Sequence, residues 1–182
     1  MRKPTLVGEL VRLRPVAARD ADGLLEIVTD PESRRVTGQT AVLTRAEVDR
    51  WCETVAGIEG RIDLAVTAGG RDEYLGMIVL SEIDELRGSA ELRLSMRPSS
   101  RGRGYGGEAI GLVLGLAFEG LGLHRVGCDV LSINSRALGV YQSVGFTVEG
   151  RLRDAYRDGK GYCDAIVLGL LEDEYRTLSR DL

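Results

Sequence analysis

The stretch Arg97–Ala109, RPSSRGRGYGGEA, crowds four glycines and three arginines into thirteen residues, directly after an alternating apolar segment. Glycines this close together let a backbone approach a ligand, and successive N–H groups opening a helix bind anionic oxygens with help from the helix dipole. Three chemistries use such a loop. A nucleoside-triphosphate loop requires G-x-x-x-x-G-K-[ST], and no G-K-[ST] occurs in the chain. A dinucleotide loop, G-x-G-x-x-G, is met in form by Gly102, Gly104 and Gly107, with Asp129 near the end of the next strand. Against it, the preceding strand carries Glu91, Arg93 and Ser95 on one face, where that fold has a continuous apolar run, and RPSSR parts the strand from the glycines. The third pattern, R-x-x-G-x-G, takes Arg101, Gly104 and Gly106. A pyrophosphate fits that cradle, and Arg101 and Arg103 add positive charge in an acidic chain.

A second block, Asn134–Phe146 (NSRALGVYQSVGF), has Asn134 as a helix N-cap and Gly145 as its stop. Tyr141 follows Asn134 by two helical turns, so both project from one face. Together the two blocks resemble the GNAT superfamily of acetyl-CoA-dependent N-acetyltransferases. That superfamily's pyrophosphate loop is [QR]-x-x-G-x-[GA], and its last core helix carries N-x-x-A-x-x-x-Y-x-x-x-G-F. The resemblance extends to Leu10–Ile27 and to Val148–Tyr175, which look like the opening and closing hairpin of the RimJ/RimL and spermidine-acetyltransferase branch. It is weakest between residues 30 and 75.

The resemblance implies one N-acetyltransferase domain over residues 1–182, an α/β (α+β) fold with a central mixed, mostly antiparallel, splayed sheet flanked by helices. It implies direct attack of an amine on the thioester of acetyl-CoA in a ternary complex, without a metal. Arg101, Gly102, Arg103, Gly104, Tyr105, Gly106 and Gly107 would hold the pyrophosphate. The backbone of Leu94, Ser95 and Met96 would hold the acetyl group, one N–H stabilising the developing oxyanion. Asn134, Arg136 and Ala137 would complete the cofactor side. Tyr141 would protonate the departing thiolate, a phenol near pKa ~10 serving a thiol near ~8.5. Glu91 is the candidate base for the amine, directly or through water, with Asp164 second. Read from the residues alone, Tyr141 also suits a core face with Ala137, Leu138 and Val144, and Glu91 also suits a solvated strand.

For the acceptor, the resemblance implies a protein N-terminal α-amine, a polyamine or an amine-bearing small molecule. Carboxylates at Glu82, Asp84 and Glu85 would suit a cation. A non-catalytic acyl-CoA-binding sensor would use the same cradle, and a dinucleotide-dependent oxidoreductase is the remaining alternative.

The scaffold that must position these residues is legible as hairpins followed by a β–α–β–α–β second half. Strands are expected at Glu9–Val16, Arg61–Gly70, Glu73–Asp84, Ser89–Met96, His124–Leu131, Thr147–Tyr156 and Tyr162–Leu171. Helices are expected from Asp20 to a stop at Pro31, from a Thr44/Glu47 capping box through Val48, Trp51, Cys52, Val55 and Ile58, over residues 106–120 and after Asn134, with a short helix or a tail at Glu172–Leu178. Gly111 and Gly115 inside the third of these suggest close packing on a sheet. At 182 residues and 43% hydrophobic content the chain can build one core, and a net charge of −4 argues against an indiscriminate nucleic-acid or membrane binder. Three scattered cysteines and a single histidine, His124, fit neither a disulfide framework nor a zinc site and suit the cytoplasm. The N-terminal stretch lacks a leader's apolar run, and the longest such run, Ala109–Phe118, is too short for a bilayer. An exposed edge strand could pair two copies into a homodimer.

Overall fold

The computed structural model describes residues 3–180, without the side chains of the last two. Met1 and Arg2, where the stretch read for a leader begins, lie outside it. Period-two patterning yields eight strands: β1 (Leu6–Val7), β2 (Val11–Pro15), β3 (Ile62–Ala68), β4 (Tyr74–Asp84), β5 (Ser89–Met96), β6 (Arg125–Leu131), β7 (Thr147–Asp158) and β8 (Gly161–Leu171). They form one sheet in the order β1-β2-β3-β4-β5-β6-β8-β7, and only the β5–β6 pair is parallel. A doubly wound dinucleotide fold needs a mostly parallel sheet, so that alternative fails on topology.

Among the described residues six α-helices cover the sheet: α1 (Ala21–Thr29), α2 (Pro31–Thr37), α3 (Arg45–Thr54), α4 (Tyr105–Gly115), α5 (Ser135–Ser143) and α6 (Glu172–Arg180). Alternation along the strands sends apolar side chains to both faces. On the first face Leu64, Ile78, Leu92, Val126 and Leu168 meet Ile110 and Leu114 of α4 and Tyr141 of α5. On the second face Ala65 and Tyr74 meet Leu24 and Ile27 of α1 and Val48 and Cys52 of α3. Each fully buried aliphatic side chain contributes roughly 1.5–3 kcal/mol.

The first helix stops at Thr29, just ahead of Pro31 as expected, but Pro31 also opens a second helix that the sequence did not reveal. Asp30 turns to an extended conformation before the proline and caps a new helix, its carboxylate accepting from Ser33 N–H at 2.8 Å while Pro31 occupies the first helical position. The helix expected over 106–120 is α-helical only to Gly115 and closes in a wider π turn over Leu116–Gly120. Gly111 and Gly115 do not pack on the sheet: a Cβ on Gly111 would meet nothing within 4 Å, and one on Gly115 would meet the Tyr175 hydroxyl of α6. Ile58 lies beyond α3 and is exposed, whereas Val48 and Cys52 are core and Trp51 packs at its margin. Among the described residues no helix is long and apolar enough to cross a membrane.

Candidate active site

The decisive feature of the sheet is where it opens. β5 and β6 pair only at Ser89–Arg125, Ala90–Val126 and Glu91–Gly127. Beyond that point β5 stays with β4 as far as Met96, and β6 stays with β8 as far as Leu131. Leu92–Met96 therefore present a strand edge released from β6, and unpaired strand N–H groups are ready hydrogen-bond donors. On the second face Arg93 and Asp129 reach across the opening at 3.6 Å.

Tyr141 lies between the parted strands. Its side chain is buried and its ring packs edge-on against Phe146 at 5.3 Å. Burial pushes the phenol well above its usual pKa and Cys128 of β6 adds to this, while the backbone amide of Leu94 in β5 opposes them. The hydroxyl is thus protonated at any physiological pH.

The cradle follows β5. A short turn at Pro98–Ser100 leads to Gly102 (φ +70°) and Gly104 (φ +82°), left-handed positions that favour glycine. Gly104 is the N-cap of α4 and offers no side chain, so the first N–H groups of the helix keep no intramolecular side-chain acceptor. A Cβ on Gly106 would stand 3.0 Å from Leu94 Cδ2, so the glycine loop lies close against the released strand through that glycine. This open, uncapped helix start fits a pyrophosphate.

The arginines behave differently from each other. Arg101 turns its guanidinium to α2, donating to Ser33 Oγ at 2.6 Å and reaching Glu32 at 3.3 Å and Asp30 at 3.9 Å. Arg103 is exposed, and the exposed Arg136 lies 3.9 Å from Glu32. Asn134 caps α5 by accepting from Ala137 N–H at 3.1 Å, and its amide nitrogen faces the Val36 carbonyl of α2 at 3.5 Å. Arg35 pairs with Asp158 of β7 at 2.8 Å. Thus α2 is tied to the cradle loop, to α5 and to the closing hairpin.

Glu91 sits at the root of the opening, half-buried. Among the described residues it makes no hydrogen bond or ion pair. Burial raises its pKa first, Glu82 and Asp129 raise it further, and Arg125 and Arg93 oppose them. A carboxylate in this state is a stronger base than a solvated one. Beside it runs an open groove of about 600 Å³ lined by Glu82, Asp84, Glu85, Arg87 and Glu91. Asp164 has structural work instead: it accepts from Asp154 N–H at 2.9 Å and from Arg151 at 2.6 Å, holding a bulge in β7. His124 is exposed, and Cys52, Cys128 and Cys163 are buried free thiols.

Sequence reasoning missed Glu108. Its carboxylate accepts from the N–H groups of Glu9, Leu10 and Val11 at 2.9, 2.9 and 2.7 Å, fastening the β1–β2 turn to the first turn of α4. Nothing local to Glu108 signals partners so distant in sequence.

A splayed mixed sheet whose released strand leads into an uncapped glycine cradle defines an acyl-CoA-dependent transferase. Residues 11–147 match the Acetyltransferase (GNAT) domain, and the chain belongs to that family; it is an acetyl-CoA-dependent N-acetyltransferase. It is 27% identical over 175 residues to an uncharacterized N-acetyltransferase, p20, of Bacillus licheniformis, spanning 94% of this chain and 98% of that one. It is 27% identical over 110 residues to spermidine N(1)-acetyltransferase of Vibrio cholerae, covering 60% of this chain and 64% of that one. In fold it superposes on a Vibrio cholerae spermidine N-acetyltransferase in complex with CoA and spermine with a TM-score of 0.83, at 20% identity, over 93% of this chain and 99% of that one.

Proposed function

We propose that the protein transfers the acetyl group of acetyl-CoA to the primary amine of a cationic acceptor, a protein N-terminus or a small-molecule amine, by direct attack. Acetyl-CoA supplies an activated acetyl thioester; the chain supplies position and proton management. In this reading the N–H groups from Gly104 to Gly107 hold the pyrophosphate, and the released edge of Leu94, Ser95 and Met96 orients the acetyl group. Glu91 takes one ammonium proton, so that the nitrogen lone pair can form the C–N bond; as the C–S bond breaks the nitrogen sheds its second proton, which restores the Tyr141 hydroxyl, and the proton on Glu91 passes to solvent. Tyr141 holds a proton at its hydroxyl for the leaving sulfur. Its raised pKa widens the gap to a thiol, and the Leu94 N–H partly restores the match by stabilising the phenolate.

One observation carries the reading: the phenol of Tyr141 is buried against the face of the sheet whose strands β5 and β6 part directly after Glu91, and its pKa responds to Leu94 of one and Cys128 of the other. The carboxylates Glu82, Asp129 and Glu91 support a cationic acceptor. Both core layers flank one sheet, which supports one catalytic domain over residues 1–182, and three free thiols support a reducing, cytoplasmic setting. The test is thiol release from acetyl-CoA with N-terminal peptides, spermidine and aminoglycosides, run beside Tyr141→Phe. Turnover on one class, lost in the variant, is expected. Undiminished turnover in Tyr141→Phe would remove the tyrosine from the mechanism.

A further inference from the structure

We propose that Gly127 of β6 is a positioning residue for the reaction, its missing side chain being what allows the Glu91 carboxylate to lie across the root of the opening. The inference rests on the reading of Glu91 as the base. Gly127 is the register partner of Glu91 in the last pair before β5 and β6 separate. A Cβ on Gly127 would stand 2.5 Å from Glu91 Oε1 and 3.1 Å from Cδ and Oε2. The carboxylate therefore occupies the space that any other residue's side chain would fill. Backbone conformation does not require glycine there, since Gly127 is not among the positive-φ residues. A glycine inside a strand without that need marks a close approach.

The next strand repeats the arrangement with different occupants. Gly169 of β8 pairs with Gly127, and a Cβ on it would meet Glu149 Oε1 at 2.5 Å and Arg125 Nη1 at 2.6 Å. Two adjacent glycines thus floor a shallow trough on the second face. Glu91 lies over one, and the bidentate Arg125–Glu149 pair lies over the other. Because Glu149 engages both terminal nitrogens of Arg125, this arginine is held off Glu91, whose carboxylate keeps an unshared lone pair for a proton. The charged groups facing Glu91 are Glu82 from β4, Arg93 on β5, and Arg125 and Asp129 from β6.

A methyl group at Gly127 would meet first the tip of a flexible side chain, so Gly127→Ala is expected to fold by displacing the carboxylate. Its kcat is expected to fall about 10- to 100-fold, the cost of misplacing a reacting group by roughly an ångström. The acidic limb of its kcat/KM profile shifts, while the acetyl-CoA KM holds and the melting temperature moves only as far as the altered Glu91 midpoint requires. Gly169→Ala, whose methyl meets Glu149 and Arg125 instead, is expected to lose less. Glu91→Gln is measured alongside, and the Glu91 carboxyl is titrated by 13C NMR in the wild type and in Gly127→Ala. Wild-type kcat and acidic limb in Gly127→Ala, with activity lost in Glu91→Gln, would overturn the proposal. Wild-type turnover in Glu91→Gln would instead sink the base reading and, with it, any part for Gly127 in the reaction. The titration keeps the two failures apart: a Glu91 midpoint that moves in Gly127→Ala upholds the placement, and one that stays overturns that as well.

Discussion

Two side chains divide the proton work proposed here, and their environments set them apart. Tyr141→Phe keeps the buried ring and its contact with Phe146 and deletes only the hydroxyl. Turnover is expected to drop roughly 10²–10⁴-fold, the usual worth of a positioned acid, with the acetyl-CoA KM little changed. Burst and steady-state thiol release would measure this. For Glu91 the prediction concerns stability as well as rate. Its folded pKa lies above the unfolded value because burial and two carboxylates disfavour its charge. The unfolded chain therefore ionises first, and the native state bears a penalty that grows as pH rises through this window. Glu91→Gln should lose turnover yet melt higher than the wild type at neutral pH. The difference should vanish on acidification below about pH 4, where both states bind the proton. Paired melting curves from acid to neutral isolate this effect from the other carboxylates. A variant that melts lower throughout would mean the carboxylate is stabilising where it sits.

Elements decide which of these features a sequence can reveal. The glycine cradle, the Asn134 cap and Tyr141 on one helix face were legible because each is written within a turn or two of its own neighbours. Alternation along Ser89–Met96 likewise placed Glu91 opposite the core. The separation of β5 from β6 was legible only through family resemblance, since no local pattern says where two strands stop pairing. Pro31 carries opposite meanings as a stop and as a first helical residue, and only the Asp30–Ser33 bond decides between them. Arg101 looks like a phosphate ligand in its motif, yet its partners are on α2, 68 positions away at Ser33. Glu108 is the clearest case: it resembles a charge placed to suit the dipole of α4, but it holds a turn nearly a hundred residues earlier. Glu108→Gln leaves an amide group facing three donors, so a loss of roughly 1–3 kcal/mol is expected in urea denaturation. Because Leu10 Cδ1 of that turn would lie 3.6 Å from a Cβ on Gly104, the acetyl-CoA KM should rise too. A denaturation midpoint equal to the wild type would mean that water replaces the carboxylate without cost.

At the scale of the whole molecule, the two substrates meet opposite electrostatics. The chain carries a formal charge of −4, yet one of its substrates is itself polyanionic. In the proposed mode the cradle would meet that anion mainly with helix N–H dipoles and the exposed Arg103, since Arg101 and Arg136 are already engaged by Glu32 and, for Arg101, Asp30. Fixed dipoles at contact distance are screened little by salt, so the acetyl-CoA KM should be flat or fall slightly as ionic strength masks the overall repulsion. The groove beside Glu91 is the converse, with Glu82, Asp84 and Glu85 facing solvent around a single arginine, Arg87. A cationic acceptor approaching it is steered by charges within about a Debye length, ~10 Å at 0.1 M salt. Its KM should therefore rise several-fold between about 0.05 and 0.5 M salt while kcat holds, because screening weakens encounter rather than the proton transfers. Initial rates with each substrate varied at saturating levels of the other would separate the two slopes. An acceptor KM indifferent to salt would mean that the amine enters by another side of the opening and that the acidic groove is only a solvated loop.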